Sequence, residues 1–203
     1  MYMQKSTKIT VSVIALILIL LILFVLFFHK AEAPKNVSES KTYVDISSGI
    51  SLQAPNGLNY QSSSNGLSLV FATTSPYAHT HLLQEIRIDI DLPSKECLES
   101  DGGPVSSTST VVINGVSFER ETWSGVGLGN LYQGIDYKTV RDDGYCYRVS
   151  FFTHSTNGEG FYTDNQAQIK TVDAQQAVDI KNLFALFDQI AGTIKFSSDK
   201  VKF

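Results

Sequence analysis

The residues best placed to do chemistry are His79-Thr80-His81, where two imidazoles stand close together in the chain. On a β-strand, residues two apart share a face, so both rings could reach one metal ion. Glu85 or His154 would supply a third ligand if the fold brought it near. The competing reading is an exposed polar loop after Ser75-Pro76. A second candidate is the carboxylate pair Asp89 and Asp91, as a calcium or acid/base pair. Paired carboxylates run glycoside hydrolysis, but they need a cleft and matched environments. Here they alternate with isoleucines and share a face with Arg87, which reads as a solvated strand face. The third candidate is the glycine-rich run Gly125-Val126-Gly127-Leu128-Gly129-Asn130. A phosphate-binding loop leads from a strand into a helix. This one leads into Leu131-Tyr132, a second strand, and so reads as a flexible connection or bulge, with Trp123 beside it as the rim of a groove. No G-x-S-x-G elbow is present, and His154-Ser155 has no evident partner acid. With four histidines in all, one of them His29 at the edge of an apolar run, a hydrolase would have little to work with. No catalytic residue and no cofactor is assigned. His79 and His81 are the only metal candidates, and the expectation is a protein that is not an enzyme.

Most of the elements that would carry these residues are short strands. Residues 50–54 (ISLQA) alternate and stop at Pro55-Asn56-Gly57, and residues 67–72 (LSLVFA) follow an Asn65-Gly66 turn. Residues 85–92 (EIRIDIDL) alternate strictly, which predicts Ile86, Ile88, Ile90 and Leu92 inward and Glu85, Arg87, Asp89 and Asp91 outward. One buried and one wet face is the mark of an antiparallel sheet. Asn114-Gly115 is a favoured two-residue hairpin turn, because both central positions need positive φ. It pairs Ile113 with Val116 and Val111 with Phe118 on one face. Residues 131–140 and 145–152 form a second hairpin around Arg141-Asp142-Asp143-Gly144, with Tyr145, Tyr147, Val149 and Phe151 on one face and Cys146, Arg148, Ser150 and Phe152 on the other. Residues 157–170 read as a loop. Asp173 then opens a helix, with Gln176 at capping-box spacing. Ala177, Ile180, Leu183, Phe184, Phe187 and Ile190 form its apolar stripe, Gly192 follows its last turn, and residues 193–196 (TIKF) close as a strand.

All of this must hang from one stretch near the start. The run that begins at Val11 and ends at Phe28 (VSVIALILILLILFVLFF) contains one hydroxyl and no charge. With Ile9 and Thr10 it would span about 30 Å as a helix, the thickness of a bilayer's hydrocarbon core. A secretory signal has a shorter apolar region, and although Ala31-Glu32-Ala33 has the small-x-small pattern, Pro34 would then be the first mature residue, a poor cleavage substrate. A buried core helix would show a polar stripe, and this run has none. The domain expectation is therefore a cytoplasmic tail (1–10), a transmembrane helix (11–28), a polar linker (29–41) and an extracytoplasmic domain (42–203). Lysines are balanced across the run, Lys5 and Lys8 before it and Lys30 and Lys35 after it, so the positive-inside rule leaves the orientation open. A downstream part poor in lysine, rich in Ser and Thr, and holding a cysteine pair tips it to N-terminus inside. Asn36-Val37-Ser38 is a glycosylation sequon, relevant only in a eukaryotic secretory pathway.

Composition narrows the partners. All 20 acidic residues follow the apolar run, while Lys5, Lys8 and Lys30 are three of the 16 basic ones. The outer part thus holds 13 basic against 20 acidic residues, a net of −7, which excludes a nucleic-acid surface and an electrostatic grip on anionic lipid. The partners expected are the lipid bilayer, through the apolar run, and a protein at the cell surface. Cys97 and Cys146 form no C-x-x-C motif, so zinc and thioredoxin-like chemistry are improbable. In an extracytoplasmic domain the pair suggests one disulfide, the alternative being two unrelated buried thiols. A bridge requires the segment around Cys97 to cover the Cys146 face of the second hairpin.

Residues 112–196 carry a resemblance. INGVSF, a glycine-rich link, the hairpin YKTVRDDGYCYRVSF and the closing FDQIAGTIKF are similar to small extracytoplasmic proteins of the PsbP/Mog1-like fold class, which often end in a helix followed by an aromatic, a few polar residues and T-x-K-F. That resemblance implies binding or assembly and no reaction, and it places no functional residue on this chain. The fold expected is α+β: an antiparallel sheet with a C-terminal helix packed on it, behind an N-terminal transmembrane helix.

Overall fold

Ten strands and one long helix make up the described part of this computed structural model, which covers residues 39–63, 66–72, 79–99, 103–162 and 164–197. The strands are β1 (Ser40–Asp45), β2 (Ile50–Pro55), β3 (Asn59–Ser63), β4 (Gly66–Val70), β5 (Leu83–Asp91), β6 (Val105–Ile113), β7 (Val116–Gly127), β8 (Asn130–Val140), β9 (Cys146–Thr156) and β10 (Lys195–Phe196); the helix is α1 (Gln166–Ala191). All pairings are antiparallel, in two sheets of order β1-β2-β10 and β3-β4-β5-β9-β8-β7-β6. The expected α+β class with an antiparallel sheet and a C-terminal helix is what forms, except that the strands divide into two sheets. The tail, the apolar run at 11–28 and nearly all of the linker lie outside the described residues, as do Ser75-Pro76 and Asn65. Among the described residues no helix is long and apolar enough to cross a membrane. β1 takes in Ser40 and Lys41, which belonged to the expected linker.

One face of the large sheet builds the core. Alternation along β5, β8 and β9 sends Ile86, Ile88, Ile90, Ile135, Val149 and Phe151 to this face, and all are buried. Leu183, Phe187 and Ile190 of α1 meet them, with Phe187 5.0 Å from Phe151 and 6.5 Å from Phe71 between ring centres. Burying a side chain such as Phe187 is worth roughly 1.5–3 kcal/mol. Ile50 and Leu52 of β2 join the same cluster. Phe196 of β10 stacks on Phe118 and stands edge-on to Tyr147, which ties the closing strand to the large sheet. The Asn114-Gly115 turn forms as expected, with φ of 49° and 82°, and Ile113 pairs with Val116 and Val111 with Phe118. Asn114 also donates through Nδ2 to Ile194 O at 2.7 Å, fastening the hairpin tip beyond the end of α1.

Several expectations need correcting. The helix starts at Gln166 with Asn165 as its cap, whose side chain accepts from Gln168 N–H, and Asp173 lies inside it. Residues 166–171 lack the full stripe but are largely good helix formers behind a capping Asn, and Ile169 is buried. Ala177 is exposed, whereas Gln176 and Asp179 take buried places on the stripe. Gly192 does follow the last turn, but with φ of −58° it caps without the left-handed conformation. Gly66 is a strand residue paired with Ser63 and Asp91 rather than part of a turn. Leu92 is exposed and Asp91 is buried, the reverse of the strict alternation. The glycine run is no loose link: β7 extends to Gly127, β8 starts at Asn130, and Leu128-Gly129 (φ 50° and 79°) is a second tight hairpin turn.

The outward face of the large sheet is covered along β9 and β8. β5 and β6 are separated in the sheet by β9, β8 and β7, so the chain joining them crosses that face. Ser94 exchanges backbone hydrogen bonds with Cys146 (3.1 and 2.7 Å), Cys97 is bonded to Cys146, and Pro104 O accepts from Ser124 N–H. The disulfide inferred from the cysteine count therefore forms, and the segment around Cys97 does cover the Cys146 face.

Candidate functional site

His79, His81 and His154 each have a different partner. His79 precedes β5 and lies against α1. Its backbone N–H donates to Asp179 Oδ2 (2.9 Å) and its ring Nδ1 to Asp179 Oδ1 (2.7 Å), because a carboxylate can only accept. Gln175 Nε2 adds a third donor to Oδ1 at 3.0 Å. Asp179 is wholly buried, and these donors are what make burial of a charge tolerable. The Thr80 hydroxyl donates to the Gln176 side-chain carbonyl. His81 stands edge-on to Phe161 (4.8 Å) and Tyr162 (5.7 Å), with its Nε2 3.3 Å from the Tyr162 hydroxyl. His154 lies on the outward sheet face, stacked on Tyr132 at 4.8 Å and 2.9 Å from Asn130 Oδ1. Glu85 sits opposite His154 in the β5–β9 register, but its carboxylate accepts from Arg87 at 2.9 Å. Among the described residues no group of three or more His, Cys, Asp or Glu side chains is gathered to hold a metal.

Nor are Asp89 and Asp91 a solvated pair. Asp89 accepts from Arg87 Nε and from the Ser68 hydroxyl, both at 2.6 Å. Arg87 also lies 3.9 Å over the Phe152 ring. Burial alone would lower the Arg87 pKa, but hydrogen bonds and charge from Asp89 and Glu85 outweigh it and raise the value above the ordinary one. Asp91 is bound by Arg148, which also donates to Glu99 O in the crossing segment at 2.7 Å. Next along the same face, Asp136 is fully buried; its Oδ1 accepts from Trp123 Nε1 (3.2 Å) and the Ser150 hydroxyl (2.6 Å). Lys138 and Glu121 close the row with an ion pair at 2.6 Å. Trp123 lies flat across Gly134, its cross-strand partner: a Cβ there would come within 2.3 Å of the indole. The glycine makes room for the indole, and Phe152 packs beside it at 6.0 Å.

Sequence reasoning missed the concave region. A cleft of about 410 Å³ lies between the ends of β8 and β9 and the first half of α1, with Gln133, Ser155, Asp173 and Gln176 on its walls and Leu131 and Ile180 beneath. Gln176 is buried, and its Nε2 has no hydrogen-bond partner among the described residues. Asp173, read from the sequence as a helix cap, instead accepts the Gly158 N–H at 2.8 Å. A hollow of about 400 Å³ at the β7–β8 tip shares Leu131 and Asn157 with the cleft and is walled by the exposed Val126 and Leu128. The one signal available was a glutamine in line with Ile180 on an otherwise apolar stripe.

No family model matches the sequence, and neither does any curated protein. Among solved structures, the crystal structure of LpqN, involved in cell envelope biogenesis of Mycobacterium tuberculosis, is similar over 69% of this chain and 90% of its own, with 14% identity and a TM-score of 0.38. A likeness at that score carries no conclusion about what this chain does.

Proposed function

We propose that this chain is a single-pass membrane protein, N-terminus in the cytoplasm, whose extracytoplasmic domain works by binding or assembly and catalyses no reaction. One observation carries the reading: the groups that could do chemistry are engaged in holding the fold. His79 is taken by Asp179, Arg87 by Glu85 and Asp89, Arg148 by Asp91, and Lys138 by Glu121. The cleft carries a single charged side chain, Asp173, and the β6 edge carries none, which suits recognition rather than proton transfer. A disulfide in the domain fits an oxidising compartment, and the apolar run at 11–28 supplies the tether. The PsbP/Mog1-like resemblance belongs to the same proposal, supported by the helix followed by the T-x-K-F strand.

Cross-linking in native membranes, then capture of the full-length chain, tests it. A discrete cross-linked partner is expected. Recovery of the intact chain in a salt-washed soluble fraction would remove the anchor. Stoichiometric zinc or calcium shifting the His79 and His81 ring resonances together would replace the reading with a metal-binding one.

A further inference from the structure

The free edges of the two sheets are guarded very differently. An edge strand offers unpaired backbone groups to any passing strand, and proteins blunt it with shortness, charge, proline or bulges. β1 carries Lys41 and Asp45, and β3 is five residues long. β6 has none of these guards along most of its length: nine residues, VSSTSTVVI, without a charge, proline or glycine, and irregular only between Val105 and Ser107. Most of it is exposed, Val112 by 72%. Its direction is set by the Asn114-Gly115 turn. In a two-residue hairpin the flanking pair Ile113 and Val116 bonds inward, so the backbone groups of Val112, Thr110 and Thr108 point away from β7. Among the described residues β6 is paired with β7 alone.

We infer that β6 is a strand-pairing interface, and that its occupant is β6 of a second copy of this chain. The regular stretch runs from Ser107 to Ile113 and its midpoint is Thr110. A twofold axis there sets Thr110 against Thr110 of the other copy and Thr108 against Val112. The outward N–H and C=O groups of each strand then meet their counterparts in the narrow, doubly bonded pairs of an antiparallel ladder. Ser109 faces Val111 between them, and Ser107 faces Ile113. No like charges oppose one another, because the strand has none, and Thr–Thr pairs across antiparallel strands are favourable. An edge without charge offers a charged partner nothing to select, whereas it complements itself along its whole regular length. This inference names one partner for the assembly reading above and rests on it.

The test is a cross-link in native membranes with the full-length chain. The protein has no free cysteine among its described residues, so Thr110→Cys adds a unique exposed thiol. A short bis-maleimide should shift most of this variant to twice the chain's mass. Tyr60→Cys, on the opposite edge strand β3, should shift at least tenfold less. Adding Thr108→Pro to Thr110→Cys removes an N–H that points away from β7 and has no partner among the described residues, and should abolish the doubled band while the Trp123 emission stays that of the folded protein. Equal cross-linking at Thr110→Cys and Tyr60→Cys, no doubled band, a band that survives Thr108→Pro, or an adduct of any other mass would each overturn self-pairing. None of these results bears on partner capture by the wild-type chain, so the two readings fail separately.

Discussion

Removing the disulfide tests both the crossing segment and the compartment. The bridge joins residues 49 apart in sequence, with Cα atoms 5.2 Å apart. In the chain-entropy model, closing a loop of that size in the unfolded ensemble stabilises the fold by about 4 kcal/mol. Small domains hold roughly 5–15 kcal/mol in total, so a Cys97→Ser, Cys146→Ser variant should remain folded but lose roughly a quarter to four fifths of its reserve. At a urea slope of about 2 kcal/mol per molar, the midpoint should fall by about 2 M. The structure adds a local consequence. Without the bridge, described contacts still holding the crossing segment to β9 include the Ser94–Cys146 backbone pair and the Arg148–Glu99 bond. Lys95 lies exposed between Ser94 and Cys97, so trypsin should cut there in the variant before the core unfolds, and leave the wild type intact. The assay is urea unfolding followed by Trp123 emission on residues 38–203, paired with timed proteolysis. A midpoint shift below about 0.5 M with no new cleavage at Lys95 would refute the reasoning. So would alkylation of both thiols in unreduced, denatured native material.

Gly134→Ala should cost about 3 kcal/mol and shift the Trp123 emission to the red, because the new Cβ meets the indole at 2.3 Å and Phe151 O at 2.5 Å, and backbone oxygen cannot move aside cheaply; unchanged thermal unfolding would contradict this. Asp179→Ala strips the acceptor from the His79 backbone and ring and should cost about 2 kcal/mol, with faster amide exchange at His79. Tyr147 has its pKa pushed up to about 12 by burial and by its hydrogen bond to Asp143. The neutral phenol is the form the fold favours, so this contribution is complete below pH 10 and is lost as pH rises through about 12; tyrosinate absorbance should therefore show Tyr147 titrating late together with Tyr137, which burial and its hydrogen bond to Asp188 also push up, and Asp143→Asn should bring Tyr147 alone back toward the ordinary range. Burial pushes the Asp143 carboxyl up, but the Tyr145 N–H and the Tyr147 hydroxyl more than offset this, so it titrates below the usual carboxylate range and its contribution disappears as pH falls through that lowered value.

Local chemistry explains what could be read in advance. Turns such as Asn114-Gly115 are decided by two residues' φ preferences, and alternation along Ile86, Ile88 and Ile90 needs no knowledge of the rest of the chain. The cysteine pairing was legible because few alternatives existed, and the class followed from the order of strands and helix. The start of α1 was not legible, because Asn165 caps a polar first turn whose burial depends on what packs over Ile169 and Gly158.

What only the tertiary structure decided is which polar groups are buried. From the sequence, Asp91 looks like the wet side of a strand, while Arg148 lies on the Cys146 face that a bridge requires to be covered. Asp91 is buried with Arg148, which binds it and also donates to Glu99 O in the chain that crosses from β5 to β6. The same holds for His79 and His81, neighbours in sequence whose rings turn to Asp179 and to Phe161. Strand periodicity reports only which face a side chain takes. Whether that face meets water, a carboxylate or another segment depends on contacts between residues distant in the chain, and no local pattern encodes those.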